Sequence, residues 1–156
     1  MHMTIETLPE LKLAGLAFAG EFSVLGTEMP KIWMTFLHRE SELGAADGVR
    51  YGVHLQEQGG VMLECIAGPV ADLNTVPEGM VGLRIPARRY AVFTHRGPMT
   101  AVQATYVTAF AAMEQLGLHP DESAWRLERY DRRFTPSVDN PANPDNAYDI
   151  LIPLLD

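Results

Sequence analysis

The order of secondary-structure signals runs twice along this chain, and that repeat limits the available folds more than any single motif. Leu11-Lys-Leu-Ala-Gly lines up with Leu83-Arg-Ile-Pro-Ala, and each is followed by a helical pattern and then by two extended ones. Identity between the runs is slight, so the repeated order of elements carries the inference. Residues 10–22 set Leu11, Leu13 and Gly15 among polar or small residues and predict a strand. Residues 27–43 predict a helix. Thr27 is placed to cap it, Glu28 complements the dipole and Pro30 fits the first turn. Ile32, Trp33, Phe36, Leu37 and Leu43 form its apolar stripe, and Gly44 ends it. Residues 50–56 and 61–70 predict a hairpin closed by Gly59-Gly60.

After a connector at 72–80 the order restarts. Residues 81–95 predict a long strand, bent near Pro86. Residues 99–116 predict a helix with Val102, Tyr106, Ala109, Phe110, Met113 and Leu116 on one stripe. At about 1.5 Å per residue it would be about 27 Å long. A strand at 124–131, a Pro/Asn/Asp-rich loop at 134–146 and a last strand at 147–154 complete the run. Two strand-helix-strand-strand modules, about 10–71 and 80–156, give an α+β layer within one domain spanning 1–156. The expected form is a curved antiparallel or mixed sheet with two helices on one face. The other face has no helix to cover it and should be solvated, or curved into a ligand groove.

Charge and cysteine content narrow the function classes. With 20 acidic against 12 basic residues the net charge is -8, which argues against direct nucleic-acid binding and mildly favours cationic or neutral ligands. The single Cys65 cannot form an internal disulfide, so a reducing, cytoplasmic setting is expected. No apolar run approaches the roughly 18 residues of a membrane span, and the N-terminus lacks a signal pattern. His54 and His95 lie in predicted strands outside any zinc spacing, and the Gly-rich turns lack phosphate-loop spacing. Neither a metal nor another cofactor is expected.

The candidate site comes from the strand at 124–131. Alternation sets Arg126, Glu128 and Tyr130 on one face and Trp125, Leu127 and Arg129 on the other. Leu127 is the natural core residue, so the Glu128 face is expected to look away from the main core. A carboxylate beside tyrosines in a concavity recognises cations. Tyr51, Tyr90 and Tyr148 in other strands join Glu128 and Tyr130 as ligand-binding candidates, since phenols suit an apolar site with a few polar handles. Glu64 is a candidate second acid. Trp33 is a candidate from the helix, with a core role as its alternative. Cys65 reads as a small buried hydrophobe.

Several fragments together resemble a known family. They are Tyr51-Gly-Val, Ala67-Gly-Pro-Val, Pro77-Glu-Gly-Met, Ile85-Pro-Ala-Arg-Arg-Tyr-Ala-Val-Phe-Thr-His-Arg-Gly-Pro, Leu127-Glu-Arg-Tyr-Asp and Ile152-Pro-Leu. In this order they resemble the GyrI-like small-molecule-binding domain, the effector-binding half of MerR- and AraC-type multidrug regulators. The resemblance implies a pair of strand-helix-strand-strand modules with a groove between them on the open sheet face. It also implies that the glutamate of the Leu-Glu-x-Tyr strand, here Glu128, meets flat, lipophilic cations between aromatic residues. Two departures stand out. Leu63-Glu-Cys-Ile stands where an aromatic residue is frequent, and residues 1–10 are too short for a helix-turn-helix, so a stand-alone ligand domain is expected. The leading expectation is a binding protein for cationic or amphipathic aromatic compounds. One alternative is a hydrolase of strained electrophilic natural products, as in some stand-alone relatives, with Glu128 activating water and a tyrosine donating a proton. Another is a modulator of a protein partner such as DNA gyrase.

Overall fold

The computed structural model describes residues 2–44, 48–137 and 140–156. Among these, eight strands form one sheet: β1 (Met3–Leu8), β2 (Leu11–Glu21), β3 (Arg50–Gln58), β4 (Val61–Pro69), β5 (Val81–Ile85), β6 (Arg88–Arg96), β7 (Arg126–Tyr130) and β8 (Ala147–Pro153). All the pairings are antiparallel. Helix α1 (Phe22–Arg39) follows β2, and α2 (Val102–Gln115) follows β6. The α+β class and the two helices agree with the sequence reading. Residues 138 and 139 of the expected loop at 134–146 lie outside the described residues.

The strand order is β1-β6-β8-β7-β3-β4-β2-β5. From the central β7–β3 seam, each wing carries the strands of one strand-helix-strand-strand run. The outermost strand of each wing is exchanged: β1 pairs with β6, and β5 pairs with β2. This exchange dictates a curl. In a flat sheet β1 and β2, at the first and seventh positions, would stand about 29 Å apart at about 4.8 Å per strand. Only Pro9 and Glu10 join them, and from Leu8 to Leu11 the chain reaches about 11 Å at most. Pro86 and Ala87 join β5 to β6 under the same constraint. The sheet therefore curls into a half-barrel that brings its ends together.

The curl settles the fate of the face without helices. Leu13, Leu83 and Ile85 from one wing and Tyr90, Val92 and Leu151 from the other fall in a single buried cluster with Val53, Cys65 and Leu127. The opposite face carries α1 and α2 over Trp33, Phe36, Ile66, Phe93, Met113, Tyr130, Tyr148 and Ile150. Both faces are thus core, and every residue of β8 is buried. The helix-free face is not solvated, the first of the two expected forms: it lines the inside of the curl, and depressions open at its rim, one of ≈ 220 Å³ lined by Tyr90, Arg88 and Trp125 among others.

Three local readings also change. Helix α1 begins at Phe22 without a side-chain cap, not at Thr27, so Pro30 lies inside it. Gly26 falls inside the helix, where one glycine costs only about 1 kcal/mol. The long strand at 81–95 is two strands with different partners, separated at Pro86. Phe110 and Leu116, expected on the buried stripe of α2, are exposed. No helix among the described residues is long and apolar enough to cross a membrane.

Candidate functional site

Residues opposite one another in an antiparallel ladder share a face. Glu128 stands opposite Gly52 on one side and Ile150 on the other. Gly52 in turn stands opposite Ile66. One step along, Arg126 stands opposite His54, and His54 opposite Glu64. Because Ile66 and Ile150 belong to the cluster under the helices, Glu128 faces the helices. This corrects the expectation that it looks away from the core, and its cause is that Leu127, fully buried, fills the inside of the curl instead.

The Glu128 carboxylate is held by two phenols. Tyr106, reaching down from α2, donates to Oε1 at 3.0 Å, and Tyr130 donates to Oε2. Tyr130 can reach because residue 52 has no side chain: a Cβ there would lie 3.3 Å from Tyr130 Cε2 and 3.4 Å from its hydroxyl. The Tyr130 ring lies 4.8 Å from Tyr148 and 4.6 Å from Phe134, centroid to centroid. Trp33 of α1 meets it edge-on at 4.9 Å. Aromatic pairs at such distances add roughly 0.5–1.5 kcal/mol beyond area burial. The Tyr148 hydroxyl is buried without a hydrogen-bond partner among the described residues. The Arg126 guanidinium lies over the Tyr106 ring, 4.5 Å from its centroid.

Electrostatics follow from this enclosure. Burial, then the neighbouring Glu64, raise the Glu128 carboxyl above its ordinary value, against the hydrogen bonds from Tyr130 and Tyr106 and the charge of Arg126. Burial, then the Glu128 charge, push Tyr106, Tyr130 and Tyr148 well above the ordinary phenol value. The phenols are therefore committed donors. Among the described residues Glu128 has no ion-pair partner, so its charge rests on these donors and on Arg126 at longer range.

The sequence candidates divide cleanly. Glu128, Tyr130, Tyr148, Glu64 and Trp33 are brought to the helix-bearing face. Tyr51 and Tyr90 are not: they belong to the cluster inside the curl, 8% and 1% exposed. Strand parity separates them, since Tyr51 stands opposite Arg129, on the far side of β7 from Glu128. Glu64 is engaged by His54 Nδ1 at 2.8 Å. His95 does not approach His54 but ties β6 to α2, with Nδ1 at 2.7 Å from Thr105 Oγ1. Cys65 is buried inside the curl, and burial pushes its thiol up to about 12, which disfavours the nucleophilic thiolate. Tyr106 and Arg126 are the members that sequence reasoning missed. A tyrosine on an apolar helical stripe was the available signal, because a buried phenol needs a partner.

Geometry and pattern agree with wider similarity. A family model described as the GyrI-like small molecule binding domain matches residues 1–155. The chain belongs to this family. It is 30% identical over 157 residues to the transcriptional regulator BrlR of Pseudomonas aeruginosa, covering 99% of this chain and 56% of the regulator, so it spans little more than half of that relative. Its fold is that of SAV2435 bound to tetraphenylphosphonium, with TM-score 0.70, 18% identity, and 99% and 94% of the two chains covered. A hydrolase encoded by lin2189 from Listeria innocua shares it with TM-score 0.62, 14% identity, and 98% and 91% covered. As a member of this family the chain is a small-molecule-binding domain.

Proposed function

We propose that this GyrI-like domain binds lipophilic aromatic monocations on its helix-bearing face. Glu128 supplies the counter-charge, and Tyr106, Tyr130, Tyr148 and Trp33 supply the aromatic wall. One observation carries the reading: a carboxylate enclosed among phenols, with no ion-pair partner among the described residues. Folding alone has no use for such a charge, whereas a cation recovers its desolvation cost. A pair at 4 Å with an effective dielectric near 20 gains about 4 kcal/mol before desolvation, against roughly 0–1 kcal/mol for an exposed pair. A desolvated aromatic face adds up to about 2 kcal/mol. With apolar burial these terms approach the roughly 8 kcal/mol of micromolar binding. SAV2435, whose structure is similar, binds a cation of this class.

The test is calorimetric titration of tetraphenylphosphonium and of neutral triphenylphosphine oxide into the wild type and Glu128→Gln. The variant should bind the cation more than tenfold more weakly and the neutral compound equally well. Equal loss for both compounds would sink the electrostatic reading. Wild-type affinity for the cation should also fall as pH drops through the raised Glu128 range, because protonation removes the counter-charge.

A second reading rests on the same raised carboxyl. Glu128 flanked by phenols fits a general base with proton donors, the arrangement that activates water against a strained electrophilic ring. A structurally similar protein is described as a hydrolase. Turnover of such a compound by the wild type and not by Glu128→Gln would favour this reading. Stoichiometric binding without product would exclude it for that compound.

A further inference from the structure

We infer that Arg126 is the resident cation of the Glu128 site: its guanidinium covers an aromatic face that an incoming monocation needs, and it must swing away when one binds. The inference rests on the cation-binding reading and adds what sets its affinity. Arg126 lies two residues before Glu128 on β7 and on the same sheet face. Its Cζ stands 4.5 Å from the centroid of Tyr106, the phenol that donates to Glu128 Oε1 at 3.0 Å. A cation, an aromatic face and a carboxylate are thus already assembled, with the protein supplying all three.

What marks Arg126 as displaceable is how little holds it. Arg50, Arg88, Arg129 and Arg133 each meet a carboxylate at 2.6 to 3.0 Å. The Arg126 side chain makes no hydrogen bond among the described residues, and its Nε is buried without a partner. Of the two acids on its face, Glu64 is engaged by His54 and Glu128 by the two tyrosines. What holds the guanidinium among the described residues is the contact with Tyr106 and a longer-range attraction to Glu128, which an incoming monocation would replace. Leaving costs the protein no hydrogen bond, and the buried Nε gains water. A soft, poorly hydrated cation can take the vacated face, whereas a small hydrated one gains nothing over the arginine. Arg126 therefore acts as a specificity threshold in favour of lipophilic monocations.

The experiment compares tetraphenylphosphonium affinity by calorimetry in the wild type, Arg126→Gln, Arg126→Ala, Arg126→Lys and Glu128→Gln, each with a thermal-melt control. If the resident guanidinium covers the site most of the time, its removal raises apparent affinity by the inverse of the free fraction, a gain of more than about twofold. Arg126→Gln and Arg126→Ala should show that gain, and Arg126→Lys should stay near wild type. Millimolar methylguanidinium should compete with tetraphenylphosphonium in Arg126→Ala and not in the wild type, a result that a merely structural role would not give. Glu128-dependent binding with unchanged or weaker affinity in Arg126→Gln would overturn the inference while leaving the site standing. Absence of Glu128-dependent binding in every form would overturn both.

Discussion

Glu128→Gln should stabilise the folded protein at neutral pH while it weakens cation binding. The substituted amide keeps the shape and one carbonyl acceptor but removes the charge. Two effects compete. The variant loses the charge-assisted part of the bonds from Tyr106 and Tyr130, roughly 1 kcal/mol each beyond neutral hydrogen bonds. It also escapes the penalty of holding a carboxylate in a half-buried site, a part of the several kcal/mol that full burial would cost. The raised Glu128 carboxyl, with burial as its first cause, shows which effect is larger. The expected net gain is at most about 1 kcal/mol at pH 7–8.

The sign of the pH dependence follows from linkage. A carboxyl whose folded value is raised contributes stability below its unfolded value and loses it as pH rises through the folded one. The wild type therefore falls behind the variant above the ordinary carboxyl range, and the two converge near pH 4. Acids remote from Glu128 cancel in the difference. Urea denaturation of both at half-unit steps from pH 4 to 8 measures it, and each kcal/mol should shift the melting temperature by roughly 2–4 °C in a domain of this size. A variant less stable than wild type at pH 7, or a difference flat across pH, would refute the claim that a half-buried, incompletely compensated charge sits at Glu128.

Further outcomes follow from neighbouring groups. Tyr106→Phe leaves Glu128 Oε1 without its donor and should cost about 1–3 kcal/mol at pH 8, and less near pH 5, by the same urea series. Gly15→Ala would drive a Cβ into the Ile66 carbonyl oxygen, against backbone that cannot yield, and should cost more than about 4 kcal/mol or abolish the cooperative melt. Gly26→Ala, with nothing within 4 Å inside α1, is its control and should gain about 1 kcal/mol. Cys65, its thiol raised to about 12, should resist alkylation at pH 8 in the folded protein and react at the rate of unfolding.

The order of elements was legible because alternation, helical stripes and Gly/Pro breaks are local signals. The two runs and the hairpin at Gly59-Gly60 are present in the structure. A curved sheet was expected, but how far its ends close on each other was not legible, because that depends on exchange of β1 and β5 between the wings, and β1 was not read as a strand. That omission moved the site. Leu127 is buried as expected, but in a curled sheet with helices outside it both faces are core, so a buried Leu127 says nothing of an open face at Glu128. Alternation also gives facing only within a strand. Register between strands separates Tyr130 and Tyr148, beside Glu128, from Tyr51 and Tyr90, inside the curl.

The position of Glu128 is the strongest physical reason to look for a ligand. Its ladder neighbours are Gly52 and Ile150, with Ile66 and Phe93 one strand further out. An apolar side chain at 128 would join that cluster and leave no charge to solvate. Instead the chain keeps an acid there, omits a side chain at Gly52 so that Tyr130 can fold over it, and brings Tyr106 from α2 to meet it. A second acid, Glu64, makes the charge costlier still. Local conflicts with stability of this kind are expected where a chain does something other than fold. A cation in the site removes the conflict, because it turns the two acids from mutual repulsion into a shared attraction.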